Sequence, residues 1–298
     1  MAGGCENMAQ VAFWSPFHGQ TGTTSNAIST AINVALNYKE KVLLTHMQYL
    51  KSSMESCFQK YDEGDLTKFD DVGIDSLERL VKAGKLSSED FSNYTKVLVP
   101  NRLDILTGST KLKKELFDNI YDSIIDIFDC ANECYDLIFV DVNSGNRDKI
   151  TEKVLEQSDI IVINLNQNEK ILKSFFSKKD WLDVFDRKKL ILNLGRYDPA
   201  SKCSAKYIKN NYGWKDEIYT VPYLIPFMDS CNNHEVLKFF YGNNNTQKND
   251  YTHFFMSEVN RLSQRLLEMA NIDNLNYKPV EKRSIFSSIF KFNQLNKL

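Results

Sequence analysis

The chain has 298 residues, 42% of them hydrophobic and 26% charged, which is typical of a globular protein that buries a sizeable core. Its formal net charge is −2, so no global positive field draws it onto nucleic acid, and a nucleic-acid partner is not expected. We find neither a signal-peptide pattern nor a run of roughly 18 apolar residues, which predicts a cytoplasmic protein rather than a membrane-spanning one.

Short apolar runs alternate with longer helical patterns along the chain. A first strand is predicted at Val11–Trp14, and apolar residues at i, i+3 and i+4 spacing predict a buried helix face over Thr24–Asn37. Further strands are predicted at Lys41–Leu44, Val97–Val99, Leu103–Leu106, Leu137–Val140, Ile160–Leu165, Leu190–Leu194 and Ile218–Val221, with helices near Lys111–Asn132, Glu169–Phe185 and Tyr251–Ala270. This alternation favours a doubly wound α/β domain with a mostly parallel sheet and helices on both faces.

The last part of the chain differs in composition from the rest. We predict one domain over residues 1–270, with an exposed polar loop at Gly242–Asp250, then a linker at 271–283 and an amphipathic tail at 284–298. The tail region is basic, and its Ile and Phe residues fall largely on one helical face. Two interpretations stay open: a peripheral anchor on the inner face of the membrane, or a helix that packs on the body or on a partner.

Six cysteines are scattered along the chain. Cys130 and Cys134 are four residues apart on a predicted helix, which is the spacing of half a metal site, but no second Cys/His pair completes it. We therefore predict buried or idle thiols.

A turn rich in Gly and Thr joins the first predicted strand to the first helix. Gly19 and Gly22 permit unusual backbone angles, and backbone N–H groups at a helix start bind phosphate even without a lysine. The G-x-x-x-x-G-K-[ST] pattern fails at Phe17 and at Thr23, so a plain turn with a Ser/Thr-capped helix explains this segment equally well. The candidate phosphate-binding residues are His18, Gly19, Gln20, Thr21, Gly22, Thr23, Thr24 and Ser25.

The order of motifs resembles the ParA/MinD (SIMIBI) branch of P-loop ATPases over roughly residues 9–270. The loop K-G-G-x-G-K-T of that family aligns with His18–Thr24, and its Walker B strand is similar to Tyr135–Asp141. Ser158–Ile163 and Val221–Tyr223 resemble two later segments of the family. The resemblance implies an ATP- and Mg²⁺-binding homodimer. In it Thr24 and, through water, Asp141 would hold Mg²⁺, while Asn193 and Pro222 would lie beside the adenine.

Three positions depart from the family pattern. Thr23 replaces the P-loop lysine, His18 replaces the signature lysine that reaches across the dimer, and His46 stands where an aspartate positions the attacking water. Phosphoryl transfer depends on positioning and charge neutralisation, so these changes predict at most a weak ATPase that still binds nucleotide. The alternative for both histidines is an ordinary solvent-facing or capping role.

The altered loop and its proline-containing lead-in, Ser15–Gln20, look like those of the TadZ/CpaE group, which places pilus or secretion machinery at a cell pole. The first hypothesis is therefore a dimeric positioning or assembly factor for a membrane-associated machine. The second is a slow partitioning-type ATPase that binds DNA non-specifically, against which the net negative charge stands. The third is a scaffold with this fold that binds no nucleotide.

Overall fold

The computed structural model describes residues 8–49, 52–60, 72–111, 113–145, 148–243 and 251–272. These residues form one eight-stranded sheet in the order β3-β4-β2-β5-β1-β6-β7-β8, in which β3 is antiparallel to β4 and the other neighbours are parallel. The strands are β1 Ala9–Trp14, β2 Val42–Met47, β3 Lys96–Val99, β4 Leu103–Leu106, β5 Leu137–Val142, β6 Ile160–Leu165, β7 Lys189–Tyr197 and β8 Ile218–Pro222.

Eleven α-helices are found in the described ranges. They are α1 Thr23–Asn37, α2 Ile74–Lys82, α3 Ser88–Phe91, α4 Lys114–Asp118, α5 Ile124–Asn132, α6 Lys149–Gln157, α7 Glu169–Phe176, α8 Ala205–Tyr212, α9 Ile225–Asn232, α10 Val236–Asn243 and α11 Tyr251–Met269. Short 3₁₀ turns lie at Glu55–Cys57, Ser92–Tyr94, Asn119–Asp122 and Asp183–Asp186.

The sheet is buried on both faces, because its strands alternate their side chains between two cores. In β1, Val11 and Phe13 point into the core formed with α1, α9, α10 and α11, while Ala12 and Trp14 point into the core formed with α2, α5, α6 and α7. Such two-sided burial explains why the parallel strands read as continuous apolar runs. The doubly wound α/β prediction is confirmed.

Strand β1 lies at the centre of the sheet, with β5 on one side and β6 on the other. The chain leaves β1 through α1 toward β2, and it later enters the opposite half through β6. In open α/β sheets, ligands bind outside the carboxyl ends of the strands where the strand order reverses in this way. The fold therefore directs attention to the segment that follows Trp14.

Two predicted helices are shorter than expected. The pattern at Lys111–Asn132 forms α4, a 3₁₀ turn and α5, because the tighter step lets Phe117, Ile120 and Ile124 all reach the core. The pattern at Glu169–Phe185 gives a helix only to Phe176, since Lys178 adopts a left-handed conformation (φ 64°) that ends α7.

Some predicted features cannot be located. Of the predicted loop, Gly242 and Asn243 belong to α10, while residues 244–250 lie outside the described residues, as do the linker from residue 273 and the whole tail. Within the described ranges, none of the helices combines the length and apolar character that crossing a membrane requires. No cluster of three or more metal-ligating side chains occurs in the same ranges.

Candidate functional site

The loop between β1 and α1 presents an open helix end. Gly22 is left-handed (φ 69°) and precedes Thr23, the first residue of α1. No side chain of the described residues caps this helix, and its first turn, described in full, contains no acidic residue. The first N–H groups of an α-helix lack partners within the helix and carry the positive end of its dipole. The start of α1 is therefore suited to an anion such as a phosphate.

Hydroxyl groups hold this loop in shape. The Thr21 hydroxyl donates to Ser15 Oγ at 2.8 Å, and the Ser15 hydroxyl donates to the carbonyl of Phe17 at 3.1 Å. The Thr23 hydroxyl lies 3.0 Å from that of Thr21, and it must donate because the Thr21 proton is already used. Thr23 is buried. The Thr23 side chain thus points into the loop and stabilises it, instead of pointing outward.

The same loop packs tightly against β7. A Cβ atom at Gly195 would lie 1.9 Å from the carbonyl oxygen of Thr21 and 2.7 Å from Asn26 Nδ2. Only glycine permits this close approach. The next residue, Arg196, is left-handed (φ 51°) and lies beside Gly22, where the register between β7 and β8 shifts.

A buried carboxylate lies below the start of α1. The Thr24 hydroxyl donates to Asp141 Oδ2 at 2.5 Å, and the side-chain amide of Gln48 donates to the same oxygen at 2.6 Å. Asp141 Oδ1 has no hydrogen-bond partner among the described residues. Burial raises the pKa of Asp141 to about 7, and the bonds from Thr24 and Gln48 offset this only in part.

The fit of this cluster to Mg²⁺ is incomplete. Carboxylate and hydroxyl oxygens are suitable ligands, and the unpartnered Oδ1 of Asp141 is available to one. However, the amide nitrogen of Gln48 also lies 3.4 Å from Thr24 Oγ1, so it sits between the two predicted metal ligands. An N–H group directed at this position repels a cation. As arranged here, Thr24 and Asp141 do not form a divalent-cation site.

His46 belongs to a separate buried pair. Its Nε2 lies 2.8 Å from Glu55 Oε1, which also accepts the backbone N–H of Gly108 at 2.9 Å. Burial alone would lower the pKa of His46, but the Glu55 carboxylate and Asp141 together raise it above the ordinary value. The same pairing overcomes the effect of burial on Glu55 and lowers its pKa to about 2. His46 thus points at Glu55 and not at the loop.

Asn193 is not exposed at the site. It is fully buried, and its Nδ2 donates to Asn164 Oδ1 at 3.0 Å, an oxygen that also accepts from Asn26 at 2.7 Å. These three asparagines link β7, β6 and α1 inside the domain. Asn193 is covered by its neighbours in this arrangement, and its adenine contact stays a prediction.

Pro222 lies next to the loop between β1 and α1, but it lines only a very small cavity. Together with Gly22, Ser25 and Arg196 it lines a cavity of about 20 Å³. That volume has room for about one water molecule and not for a nucleobase. Next to it, an open polar depression of about 530 Å³ is lined by Gln20, Asn166, Gln167, Asn168 and Arg196. His18 and Gly19 stay exposed on the same loop.

The residues that sequence reasoning missed are mainly supporting ones. Gln48 could have been found, because it lies two residues after His46, and alternate residues of an extended segment share a face. Glu55 and Arg196 gave no signal of their own in the sequence. The other missed residues are Ser15, Asn26, Asn164, Gly108 and Gly195.

No protein-family model matches the chain, and no curated protein does so either. Similar solved structures include a ParA family ATPase from Chlorobium tepidum TLS, with a TM-score of 0.65 and 16% identity over 87% of this chain and 99% of that one. A second similar structure is MinD, a septum site-determining protein from Pyrococcus horikoshii OT3 complexed with Mg-ADP. Its TM-score is 0.61, with 12% identity over 88% of this chain and 98% of that one. A third is a plasmid partition protein from Borrelia burgdorferi B31 bound to AMPPNP, with a TM-score of 0.59 and 15% identity over 87% of this chain and 99% of that one.

The sheet order, the loop after β1 and these likenesses define one class of fold. The chain has the fold of the ParA/MinD P-loop ATPases. At identities of 12–16%, the likeness concerns the fold alone. What the altered site does is a separate question.

Proposed function

We propose that the chain binds ATP through the loop His18–Ser25 and hydrolyses it weakly or not at all. The observation that carries this proposal is the uncapped start of α1 behind Gly22, in a loop fixed by the Ser15–Thr21–Thr23 hydroxyl chain. The similar proteins from Pyrococcus horikoshii and Borrelia burgdorferi carry Mg-ADP and AMPPNP, which supports a nucleotide as the ligand. Backbone N–H groups would take the phosphates.

Weak hydrolysis follows from what the side chains do. The Thr23 hydroxyl is used inside the loop, and His46 is paired with Glu55 away from the loop. Neither supplies the charge that develops in a phosphoryl-transfer transition state. The site would therefore hold a nucleotide as a structural ligand rather than turn it over.

We further propose that the chain works as a homodimer that positions a membrane-associated machine, such as a pilus or secretion system of the TadZ/CpaE kind, at the inner face of the membrane. The names of the similar proteins, a septum site-determining protein and a plasmid partition protein, support a positioning role. Residues 284–298 would add a contact with lipid or with the partner. DNA-binding partition and a nucleotide-free scaffold are the competing functions.

The test is calorimetric titration of ATP into the purified chain, with molecular mass measured in the same samples. Wild type is expected to bind saturably and to shift from monomer to dimer. The variant Ser25→Asp should lose at least about tenfold in affinity, because an acid in the first turn of α1 repels phosphate while stabilising the helix by about 0.3–1 kcal/mol. Its melting temperature should thus be unchanged or higher.

The matched control is Ala205→Asp, which makes the same charge change in the first turn of α8. It should bind ATP as wild type does. An equal loss in both variants would mean that the effect is global and not local to the loop. Absence of binding by wild type at millimolar ATP would overturn the proposal and support the nucleotide-free scaffold.

A further inference from the structure

We propose that the side-chain amide of Gln48 takes the place of a divalent cation, so that the junction between Thr24 and Asp141 is closed without metal. The junction joins three elements: the start of α1, the end of β2 and the end of β5. This inference does not rest on ATP binding, because it concerns how the chain itself is held together.

The contacts place Gln48 where a bridging ion would be. Its Nε2 lies 2.6 Å from Asp141 Oδ2 and 3.4 Å from Thr24 Oγ1, while Thr24 Oγ1 lies 2.5 Å from the same Asp141 oxygen. Gln48 is 9% exposed, and Asp141 is fully buried. One nitrogen therefore contacts both oxygens that a cation between these residues would use.

The chemistry determines which end of the amide faces the carboxylate. An amide nitrogen carries two protons and can donate to two acceptors, whereas its oxygen would repel an ionised carboxylate. In a site closed to water such donated bonds are strong, and an unpaired carboxylate is costly. Gln48 thus supplies positive hydrogen atoms to Asp141 without bringing a net charge into the core.

A second group of contacts fixes Gln48 in this position. Its backbone N–H donates to His46 Nδ1 at 3.3 Å, and the opposite ring nitrogen of His46 is bound by Glu55. The ring also packs on Gly108, where a Cβ atom would lie 2.1 Å from it. His46 is a positioning residue here. It holds the end of β2 so that the Gln48 side chain reaches Asp141.

His46, near the end of β2, and Gln48, just beyond it, therefore act together. Gln48 offsets part of the cost of burying Asp141 by donating a hydrogen bond to it, and His46 with Glu55 positions Gln48. The result is a hydrogen-bonded connection between α1 and β5 that needs no ion. A change in Mg²⁺ concentration should not weaken it.

The experiment is thermal unfolding of the full chain without nucleotide, in EDTA and in millimolar Mg²⁺. Wild type should melt within about 1 °C in the two buffers, since a ligand raises the melting temperature only if the folded state binds it. Gln48→Asp puts a second carboxylate next to Asp141. It should be less stable in EDTA, and Mg²⁺ should raise its melting temperature by about 3 °C or more.

The matched control is Gln264→Asp on the exposed side of α11, which should show no Mg²⁺ response. If Gln48→Asp does not fold, Mn²⁺ binding to wild type, followed by its paramagnetic resonance signal, still decides the matter. Wild type should leave Mn²⁺ free. A Mg²⁺-stabilised or Mn²⁺-binding wild type would overturn the proposal. Failure of the chain to bind ATP would contradict the proposed function but not this inference, because nucleotide is absent from all of these measurements.

Discussion

The proposed nucleotide site at the end of β1 has a phosphate half and a base half, and the two halves differ in structure. The phosphate half consists of the open start of α1, Gly22 and the hydroxyl chain around Thr21. The base half contains Pro222 beside a cavity of about 20 Å³, while Asn193 is buried away from it. A phosphate site is made from backbone N–H groups, so it tolerates a lost side chain, whereas a base site depends on the placement of each side chain.

The largest expected effect comes from the contact that joins the two halves. Gly195→Ala would place a Cβ atom 1.9 Å from the Thr21 carbonyl oxygen, so the loop or β7 must move. We expect the free energy of unfolding to fall by about 3 kcal/mol, the upper range of overpacking costs. Urea denaturation measures this directly. Any ATP binding should be lost at the same time, because the loop shape depends on this contact.

Gly213→Ala is the control for that change. Gly213 ends α8 with φ 68°, and a Cβ atom there meets open space. It should cost only the strain of a left-handed alanine, roughly 1 kcal/mol. Equal losses at the two positions would show that the loop is not held against β7.

The second prediction concerns Asp141 in the phosphate half, measured in EDTA. An unfolded aspartate titrates near a pKa of about 3.9, whereas burial raises the pKa of Asp141 to about 7 in the folded chain. Between these values the folded state keeps a proton that the unfolded state has released. The stability that protonated Asp141 contributes is therefore fully present below pH 4. It is lost as the pH rises to 7, and it stays lost above pH 7.

Asp141→Asn should remove this pH-dependent decrease in stability, because asparagine has no carboxyl group to ionise. We expect the variant to be about 2 kcal/mol more stable than wild type at pH 8, with the difference vanishing near pH 4. The measurement is the urea midpoint of both proteins across this range. Asp141 also raises the pKa of His46, so the difference between the two proteins reports on Asp141 together with its interaction with His46. A variant that is less stable at pH 8 would show that the carboxylate is well compensated by Thr24 and Gln48.

The sequence alone was sufficient to predict the bounds of those strands whose residue pattern is determined by burial. Ile160–Leu165 and Leu103–Leu106 were predicted at their observed bounds, because strands buried on both faces are continuous apolar runs. The predicted phosphate loop also precedes a helix that starts within one residue of the expected place. Local composition and spacing carry this information.

The site depends on facts that local patterns do not contain. The strand predicted to end at Leu194 continues through a bulge to Tyr197, and this places Asn193 inside the sheet instead of at its end. The partner of His46, Glu55, is nine residues further along the chain, and no periodicity of the sequence indicates it. Such positions are fixed by tertiary packing, so a resemblance to family motifs could not locate them.

The smallest expected effect concerns Arg196, which borders both halves. Its left-handed backbone (φ 51°) costs a non-glycine residue about 1 kcal/mol, so Arg196→Gly should raise the free energy of unfolding by that amount. The Cγ of its side chain lies beside Gly22, and Arg196 lines the depression next to the loop, so any ATP affinity should fall severalfold even though the fold is more stable. Lys178→Gly is the matched control, since Lys178 is a left-handed cation (φ 64°) on the surface. It should leave ATP affinity unchanged, and its gain in stability should be reduced by the lost contacts of Lys178 with Asp186 and Trp181. Equal affinities in all three proteins would mean that only backbone groups attract the anion, and that the base half contributes nothing to it.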